Sequence, residues 1–124
     1  MHTIDKARQC FEIIMERKAV NPILLKIKDM SSIADYFLIA SGSSTRQVQA
    51  IVQHTQRRMR EKGSRPYSIE GAQEGHWAVM DYGSLIVHIF YQPYREFYDL
   101  EGLWIEAPQI HISSTTDRET GICC

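Results

Sequence analysis

The sequence predicts a single α/β domain with a mixed β-sheet of about five strands flanked by helices. Three observations support this prediction. Amphipathic helical stretches and short β-prone runs follow each other in the order α-β-β-α-β-β-β-α. One run, residues 35–40, is apolar almost throughout, which is typical of an interior strand covered on both faces. Two further runs flank a glycine and indicate a hairpin.

The first part of the chain supplies a helix and a strand. Apolar residues recur at helical spacing over residues 4–18, with charged residues between them, so this stretch is predicted to be an amphipathic helix. The pair Asn21-Pro22 ends any helix, because proline lacks the amide donor and restricts the residue before it. Residues 23–27 then form the first predicted strand.

The middle of the chain predicts a strand-helix-strand passage. The apolar strand 35–40 is followed by Ser44 and, three residues later, Gln47, which is the spacing of a capping box. The helix that begins there is expected to end before Gly63. Residues 65–69 form a short strand near a sheet edge, because the proline within it cannot donate to a ladder. If the two strands lie parallel in one sheet, the crossover between them should be right-handed.

The predicted hairpin sorts its side chains into two faces. A two-residue turn at Gly83-Ser84 places Tyr82 opposite Leu85, and successive side chains then alternate between the faces. One face suits a core and carries Ala78, Met80, Tyr82, Leu85, Val87, Ile89 and Tyr91. The other carries Trp77, Val79, Asp81, Ile86, His88 and Phe90. This mixture of rings, acid and imidazole is common where proteins dock on proteins, and a sheet covered on both faces would also produce it.

A short helix and a tail complete the chain. Pro93 is a favoured first-turn residue, and the helix that it begins is expected to run to about Leu100. Beyond residue 107 the sequence loses its periodicity. The folded domain is therefore expected to comprise residues 1–107, and residues 108–124 are expected to form a flexible tail.

Composition narrows the function classes. The formal net charge of the 124 residues is −1, so the chain lacks the broad basic field that phosphate-driven nucleic-acid binding needs. No run approaches the roughly 20 apolar residues of a membrane span, and the N-terminus has no secretory pattern. A cytoplasmic protein is expected, with Cys10 as a buried hydrophobe and Cys123-Cys124 as reduced thiols in the tail.

Two alternative functions have specific residues behind them. Gly42-Ser43-Ser44, between a strand and a capped helix, resembles the opening of a nucleotidyltransferase site, where backbone amides bind phosphate. Such an enzyme also needs nearby carboxylates to hold its metals, and the following helix and strand supply none between residues 45 and 60 or 65 and 69. An RNA-binding module would use the helix arginines, which more often form a solvated face: Arg46, Arg57, Arg58 and Arg60.

A series of motifs runs along most of the chain. The first is D-Y-F-L-I-A-S-G-S-S at residues 35–44, followed by Arg46-Gln47-Val48. The later ones are Glu70-Gly71, Gly75, Trp77, Asp81-Tyr82-Gly83, Val87-His88-Ile89-Phe90, Arg95-Glu96, Tyr98-Asp99-Leu100-Glu101 and Leu103-Trp104. In combination these motifs resemble the ribosomal silencing factor family, also called the iojap family, over about residues 4–107. Ser41 stands where that family usually has threonine.

The resemblance implies a nucleotidyltransferase-like fold that has lost its catalytic carboxylates, and a role that is not enzymatic and uses no cofactor or metal. It implies a translational repressor that binds a large-subunit ribosomal protein on the intersubunit face and so blocks joining of the small subunit. It also implies a homodimer in the free state, little direct contact with nucleic acid and none with membranes.

The family pattern makes nine residues candidates for the docking surface: Trp77, Asp81, His88, Phe90, Arg95, Tyr98, Leu100, Glu101 and Trp104. By residue type, Trp77, Phe90 and Tyr98 are expected to be the anchors, since aromatic residues dominate interface energetics. Asp81 and Glu101 are expected to face a basic ribosomal protein. His88 is expected to hydrogen-bond Asp81 or a backbone group of the partner.

Overall fold

The computed structural model describes residues 3–112 of the chain. Its elements are α1 (Thr3–Glu16), β1 (Val20–Lys26), β2 (Tyr36–Gly42), α2 (Thr45–Glu61), β3 (Ser68–Glu70), β4 (Trp77–Asp81), β5 (Leu85–Tyr91), α3 (Gln92–Tyr98), α4 (Leu100–Leu103) and β6 (Gln109–Ile110). The predicted order of elements is confirmed, and the structure adds α4 and β6. The expectations for residues 113–124, including Cys123-Cys124, lie outside the described residues.

All strands belong to one mixed sheet with the order β3-β4-β5-β2-β1-β6. The central pair β2 and β5 is parallel, and the other neighbours are antiparallel. The sheet has six strands where the sequence predicted five. The sixth, β6, pairs with Leu24 and Leu25, and the Lys26 N–H donates to the Pro108 carbonyl at 2.9 Å. A two-residue strand is too short to show an alternating pattern, so its pairing with β1 could not be read from periodicity.

The hairpin formed by β4 and β5 has the predicted register. Ala78 lies opposite Ile89 and Met80 opposite Val87. The Tyr82 N–H donates to the Leu85 carbonyl at 2.8 Å and closes the turn. The two predicted faces are therefore confirmed as sets of side chains that share a side of the sheet.

Helices α1 and α2 cover the first face of the sheet. The main core lies between them and the strands; it includes Ala7, Cys10, Ile13, Ile14, Val48, Ile51, Val52 and Met59 from the helices and Leu38, Ala40, Ala78, Met80, Leu85, Val87 and Ile89 from the sheet. The Ser44 hydroxyl accepts the Gln47 N–H at 3.0 Å, which confirms the predicted cap. This face is closed by two long helices.

A smaller core lies on the second face, under α3, α4 and the segments that follow. Its buried members are Leu25, Ile27, Ala34, Phe37, Ile39, Phe90, Leu100 and Ala107. Strand β2 is buried along nearly its whole length, which confirms that it is an interior strand covered on both sides. The cover on this second face consists of helices of seven and four residues, much shorter than those on the first.

Two strand predictions need adjustment. Strand β1 begins at Val20, before the predicted start, because a register shift between Val20 and Ile23 admits Asn21 at φ 48°. Strand β3 is an edge strand, as predicted, and begins only at Ser68. The pairings make β3 parallel to β2 in the same sheet. This is the condition under which the crossover between the two strands is expected to be right-handed. Its right-handedness stays a prediction.

None of the helices between residues 3 and 112 combines the length and the apolar character that crossing a membrane requires.

Two glycines with positive φ form a matched pair for testing the loop that leads to Trp77. A Cβ on Gly71 (φ 79°) would lie 2.0 Å from the Trp77 carbonyl oxygen, whereas a Cβ on Gly63 (φ 85°) would meet nothing within 4 Å. We expect Gly63→Ala to lower the free energy of unfolding by about 1 kcal/mol, the cost of a left-handed alanine. We expect Gly71→Ala to cost roughly 2–4 kcal/mol, because backbone must also move. Urea denaturation measures both, and equal losses would contradict the contact.

Candidate docking surface

The nine residues of the predicted docking surface divide into buried and accessible groups. Four are buried: His88, Phe90, Arg95 and Leu100. Four are half-buried: Trp77, Asp81, Glu101 and Trp104. Tyr98 is 48% exposed. The expectation that Phe90 and His88 lie at the surface is wrong, because short helices and their neighbours close over this part of the sheet.

Phe90 and His88 instead support Trp77 from below. The Trp77 ring stacks on Phe90 with centroids 4.9 Å apart, and Phe90 is completely buried. The Trp77 indole N–H donates to Nδ1 of His88 at 3.1 Å. On its outer side Trp77 meets Tyr98 at 5.0 Å. Phe90 and His88 therefore determine the position of the Trp77 ring and its hydrogen bond. The Trp77 side chain is thus ordered before any partner binds.

The tautomer of His88 follows from this contact. Nδ1 accepts a hydrogen bond, so the proton of the neutral ring is on Nε2, which is buried and has no hydrogen-bond partner within residues 3–112. The ring packs edge-on against Phe37 at 4.7 Å. Burial among these rings lowers the pKa of His88 from 6.5 to about 4, since the charged form is poorly solvated there. The expected hydrogen bond to Asp81 is absent, because the strand register places His88 opposite Val79 and Asp81 opposite Ile86. The Asp81 carboxylate instead accepts the Gly83 N–H at 2.7 Å.

Several large apolar side chains of α3, of α4 and of the residue pair that follows α4 are exposed. Phe97 is 79% exposed, and its ring meets Tyr98 edge-on at 5.2 Å. Leu103 and Ile105 are exposed to a similar degree. We refer to Phe97, Tyr98, Leu103 and Ile105 as the exposed apolar set. Three of its members, Phe97, Leu103 and Ile105, were missed at the sequence level, because this segment is too short for periodicity to show which of its side chains face the sheet.

Carboxylates alternate with the exposed apolar set along residues 95–106. The exposed acids in this segment are Glu96, Asp99 and Glu106, and its one basic residue, Arg95, is buried and paired with Glu101. A polar cleft of about 560 Å³ lies between α3, α4 and the ends of β1 and β2. The segment thus combines apolar side chains with negative charge at the surface.

The Gly-Ser turn at the start of α2 is occupied by the chain itself. The Gln47 side-chain oxygen accepts from the Ser43 N–H at 2.5 Å and from the Ser43 hydroxyl at 2.6 Å. The Ser44 hydroxyl caps the helix. Three donors that a phosphate could use there, the Ser43 N–H, the Ser43 hydroxyl and the Gln47 N–H, are therefore engaged within the protein. Across residues 3–112, no three His, Cys, Asp or Glu side chains are grouped so that they could hold a metal ion.

The helix arginines lie on α2, which covers the first face of the sheet. Arg58 donates to Glu16 at 2.8 Å and pairs with Glu61 at 3.3 Å, and Arg57 contacts Nδ1 of His54 at 3.2 Å. The Arg58–Glu16 contact ties α2 to α1, and the other two contacts lie within α2. Arg46 and Arg60 are exposed. Among these arginines, Arg58 is thus engaged in holding the two helices together.

The buried imidazole gives a pH dependence of stability with a defined sign. Because the folded-state pKa of His88 is lowered to about 4, only the unfolded chain gains its proton between about pH 6.5 and 4. Neutral His88 makes its full contribution to the free energy of unfolding above about pH 6.5, and this contribution is lost as the pH falls toward 4. We expect the loss to reach about 3 kcal/mol near pH 4. Urea denaturation from pH 7 to 4 measures it.

His88→Gln should flatten this dependence, because the amide can accept the Trp77 N–H without titrating. His76→Gln, at an exposed histidine that stacks on Tyr94 at 4.4 Å, is the control and should leave the slope in place. A wild-type slope in His88→Gln would assign the pH dependence to other groups.

Comparisons with known proteins agree on one family. The family model described as "Ribosomal silencing factor during starvation" matches residues 1–121. A Halalkalibacterium halodurans protein named Ribosomal silencing factor RsfS is 37% identical over 97 residues, which are 78% of this chain and 83% of the relative. A Bacillus subtilis protein of the same name is 38% identical over 93 residues, covering 75% and 79%. The mouse protein named Mitochondrial assembly of ribosomal large subunit protein 1 is 32% identical over 95 residues, covering 74% and 42%.

Solved structures agree with the sequence comparison. A crystal structure of a Bacillus halodurans protein superposes with a TM-score of 0.79 at 30% identity, covering 89% of this chain and 100% of the other. A crystal structure of a Chromobacterium violaceum protein gives a TM-score of 0.83 at 26% identity, covering 92% and 94%. The resemblance seen in the motifs is confirmed: the chain belongs to the ribosomal silencing factor family.

Proposed function

We propose that the chain is a translational repressor that binds the large ribosomal subunit through one of its proteins on the intersubunit face. Its presence there blocks joining of the small subunit by occupying space, and no reaction is involved. The names of the relatives support a ribosome-associated silencing role. The name of the mouse relative refers to the large subunit in particular.

The observation that carries the proposal is the exposed apolar set together with the exposed acids of the same segment. Phe97 and Leu103 are each more than three-quarters exposed, and Glu96, Asp99 and Glu106 are exposed in the same short segment. Carboxylates repel RNA phosphates and attract the basic side chains of a ribosomal protein. This surface therefore suits a protein of the large subunit better than it suits ribosomal RNA.

The proposal assigns the predicted site residues to two roles. The accessible residues Trp77, Tyr98, Glu101 and Trp104 border the surface together with the rest of the exposed apolar set. Asp81 lies at the opposite end of β4 from Trp77, beside the hairpin turn and Tyr67, and is not part of this surface. The buried residues act from beneath, as Phe90 and His88 do for Trp77. Apolar residues at the centre then contribute most of the affinity, and the acids contribute association rate and orientation.

The cellular setting is part of the proposal. We infer that the protein acts in the cytoplasm, where subunits join, and that it forms a homodimer when free. The exposed apolar set gives this dimer a physical reason, because large exposed apolar side chains are stabilised by association.

Removal of one exposed ring tests the docking surface. We expect Phe97→Ser to weaken binding to purified large subunits by about 2 kcal/mol, roughly thirtyfold in Kd, since aromatic truncation at an interface has this order of effect. Tyr67→Ser is the matched control: its ring is 82% exposed but precedes edge strand β3. Co-sedimentation with large subunits measures affinity, and sucrose gradients after addition of small subunits measure joining.

The control variant should bind and block joining as the wild type does, and Phe97→Ser should allow joining. Equal binding by Phe97→Ser and Tyr67→Ser would contradict the assignment of the docking surface to the exposed apolar set.

The RNA-binding alternative gives a different result. It requires a steep loss of affinity with salt and a loss on Arg46→Ser or Arg60→Ser, because binding through phosphates releases counterions. If the wild type binds large subunits and small subunits still join them, the result contradicts only the steric mechanism.

A further inference from the structure

Helix α3 is attached to the sheet by a charged side chain. Among its seven residues, all of which the structure describes, Arg95 alone is buried. In the four residues of α4 the same is true of Leu100. Helices this short have little stability of their own in water, so their position depends on tertiary contacts.

The Arg95 guanidinium joins four elements. Its Nη1 donates to the Ser41 hydroxyl at 3.0 Å and to the Val20 carbonyl at 3.3 Å, at the end of β2 and the start of β1. Its Nε and Nη2 donate to the two carboxylate oxygens of Glu101 at 2.9 and 3.1 Å, which connects α3 with α4. A guanidinium has five N–H donors, and these contacts engage most of them. Little capacity is left for a partner.

The connection between α3 and α4 needs such a tether. Asp99 joins the two helices in the left-handed conformation, with φ 48° and ψ 50°, and its N–H donates to the Arg95 carbonyl at 2.9 Å. This conformation is uncommon for residues other than glycine, asparagine and aspartate, and the surrounding structure determines where it persists. The forked pair of Arg95 with Glu101 spans this residue and closes the short segment around it.

We propose that Arg95 is a positioning residue for docking. Acting through Glu101, Ser41 and the Val20 carbonyl, it holds α3 and α4 in the arrangement that presents the exposed apolar set. A surface ordered in advance loses less conformational freedom on binding, and so binds more tightly. This inference rests on the proposed function, and it replaces the sequence-level expectation that Arg95 contacts the partner.

Arg95→Lys in the full chain tests the proposal. Lysine keeps the charge but cannot make the forked contact or reach three partners at once. We expect amide hydrogen exchange to accelerate over residues 96–105 in the free protein, and binding to purified large subunits to weaken about tenfold, as expected when several ordered side chains are released. Ser41→Ala removes one contact and keeps the arginine; it should change both quantities in the same direction by less.

Arg60→Lys, at an exposed arginine of α2, is the matched control and should leave both measurements unchanged. Weaker binding with unchanged exchange would make Arg95 a direct contact and overturn the proposal. Faster exchange with unchanged binding would overturn it too, as would faster exchange spread evenly over the whole chain. If the wild type does not bind large subunits, the proposed function fails. The exchange data on the free protein then still show whether Arg95 orders residues 96–105.

Discussion

Strands β2 and β5 are covered on both sides, and the covering of these two faces is the constraint on which the rest of the molecule depends. Side chains alternate along a strand, so apolar residues on both faces need a layer on each side. Helices α1 and α2, of fourteen and seventeen residues, close one face. In the described part of the chain, the helices on the other face are α3 and α4, of seven and four residues, and loop residues such as Ala34 and Ala107 complete its cover. This inequality leaves apolar side chains at the surface on one side of the domain.

Aromatic packing compensates for part of the missing cover. Trp77 lies over Phe90, and Trp104 packs edge-on against Phe37 at 5.5 Å. Large rings remove much apolar surface from water with few side chains, so a thin layer can protect the sheet. The outer rings of this layer, Trp77 and Trp104, are themselves only half-buried. The features that complete the core thus also produce the surface that is assigned to docking.

The buried polar groups of this face show how the thin layer is fixed in one arrangement. His88 accepts the Trp77 indole N–H, and its low pKa keeps the ring neutral in a site that would not solvate an imidazolium. Arg95 occupies the buried position of α3 where an apolar residue would be usual. Apolar contacts alone allow small helices to slide, whereas hydrogen bonds have directions. Hydrogen-bonded polar groups therefore specify the position of a short helix more closely than packing alone does.

The local order of the chain determined most of the fold. Alternation in residues 77–91 was sufficient for the hairpin register, and Ser44 with Gln47 was sufficient for the start of α2, because these features depend on neighbours in the sequence. The motifs of residues 35–104 were sufficient for the family. Three features required the tertiary structure: the pairing of β6 with β1, the burial of Phe90 and His88, and the engagement of Arg95 with Ser41 and Glu101. Each depends on which distant segment covers which face, and the covering segments are too short to carry a periodic signal. An alternating strand shows that two faces exist, and only the packing of the chain decides which side chains remain in contact with water.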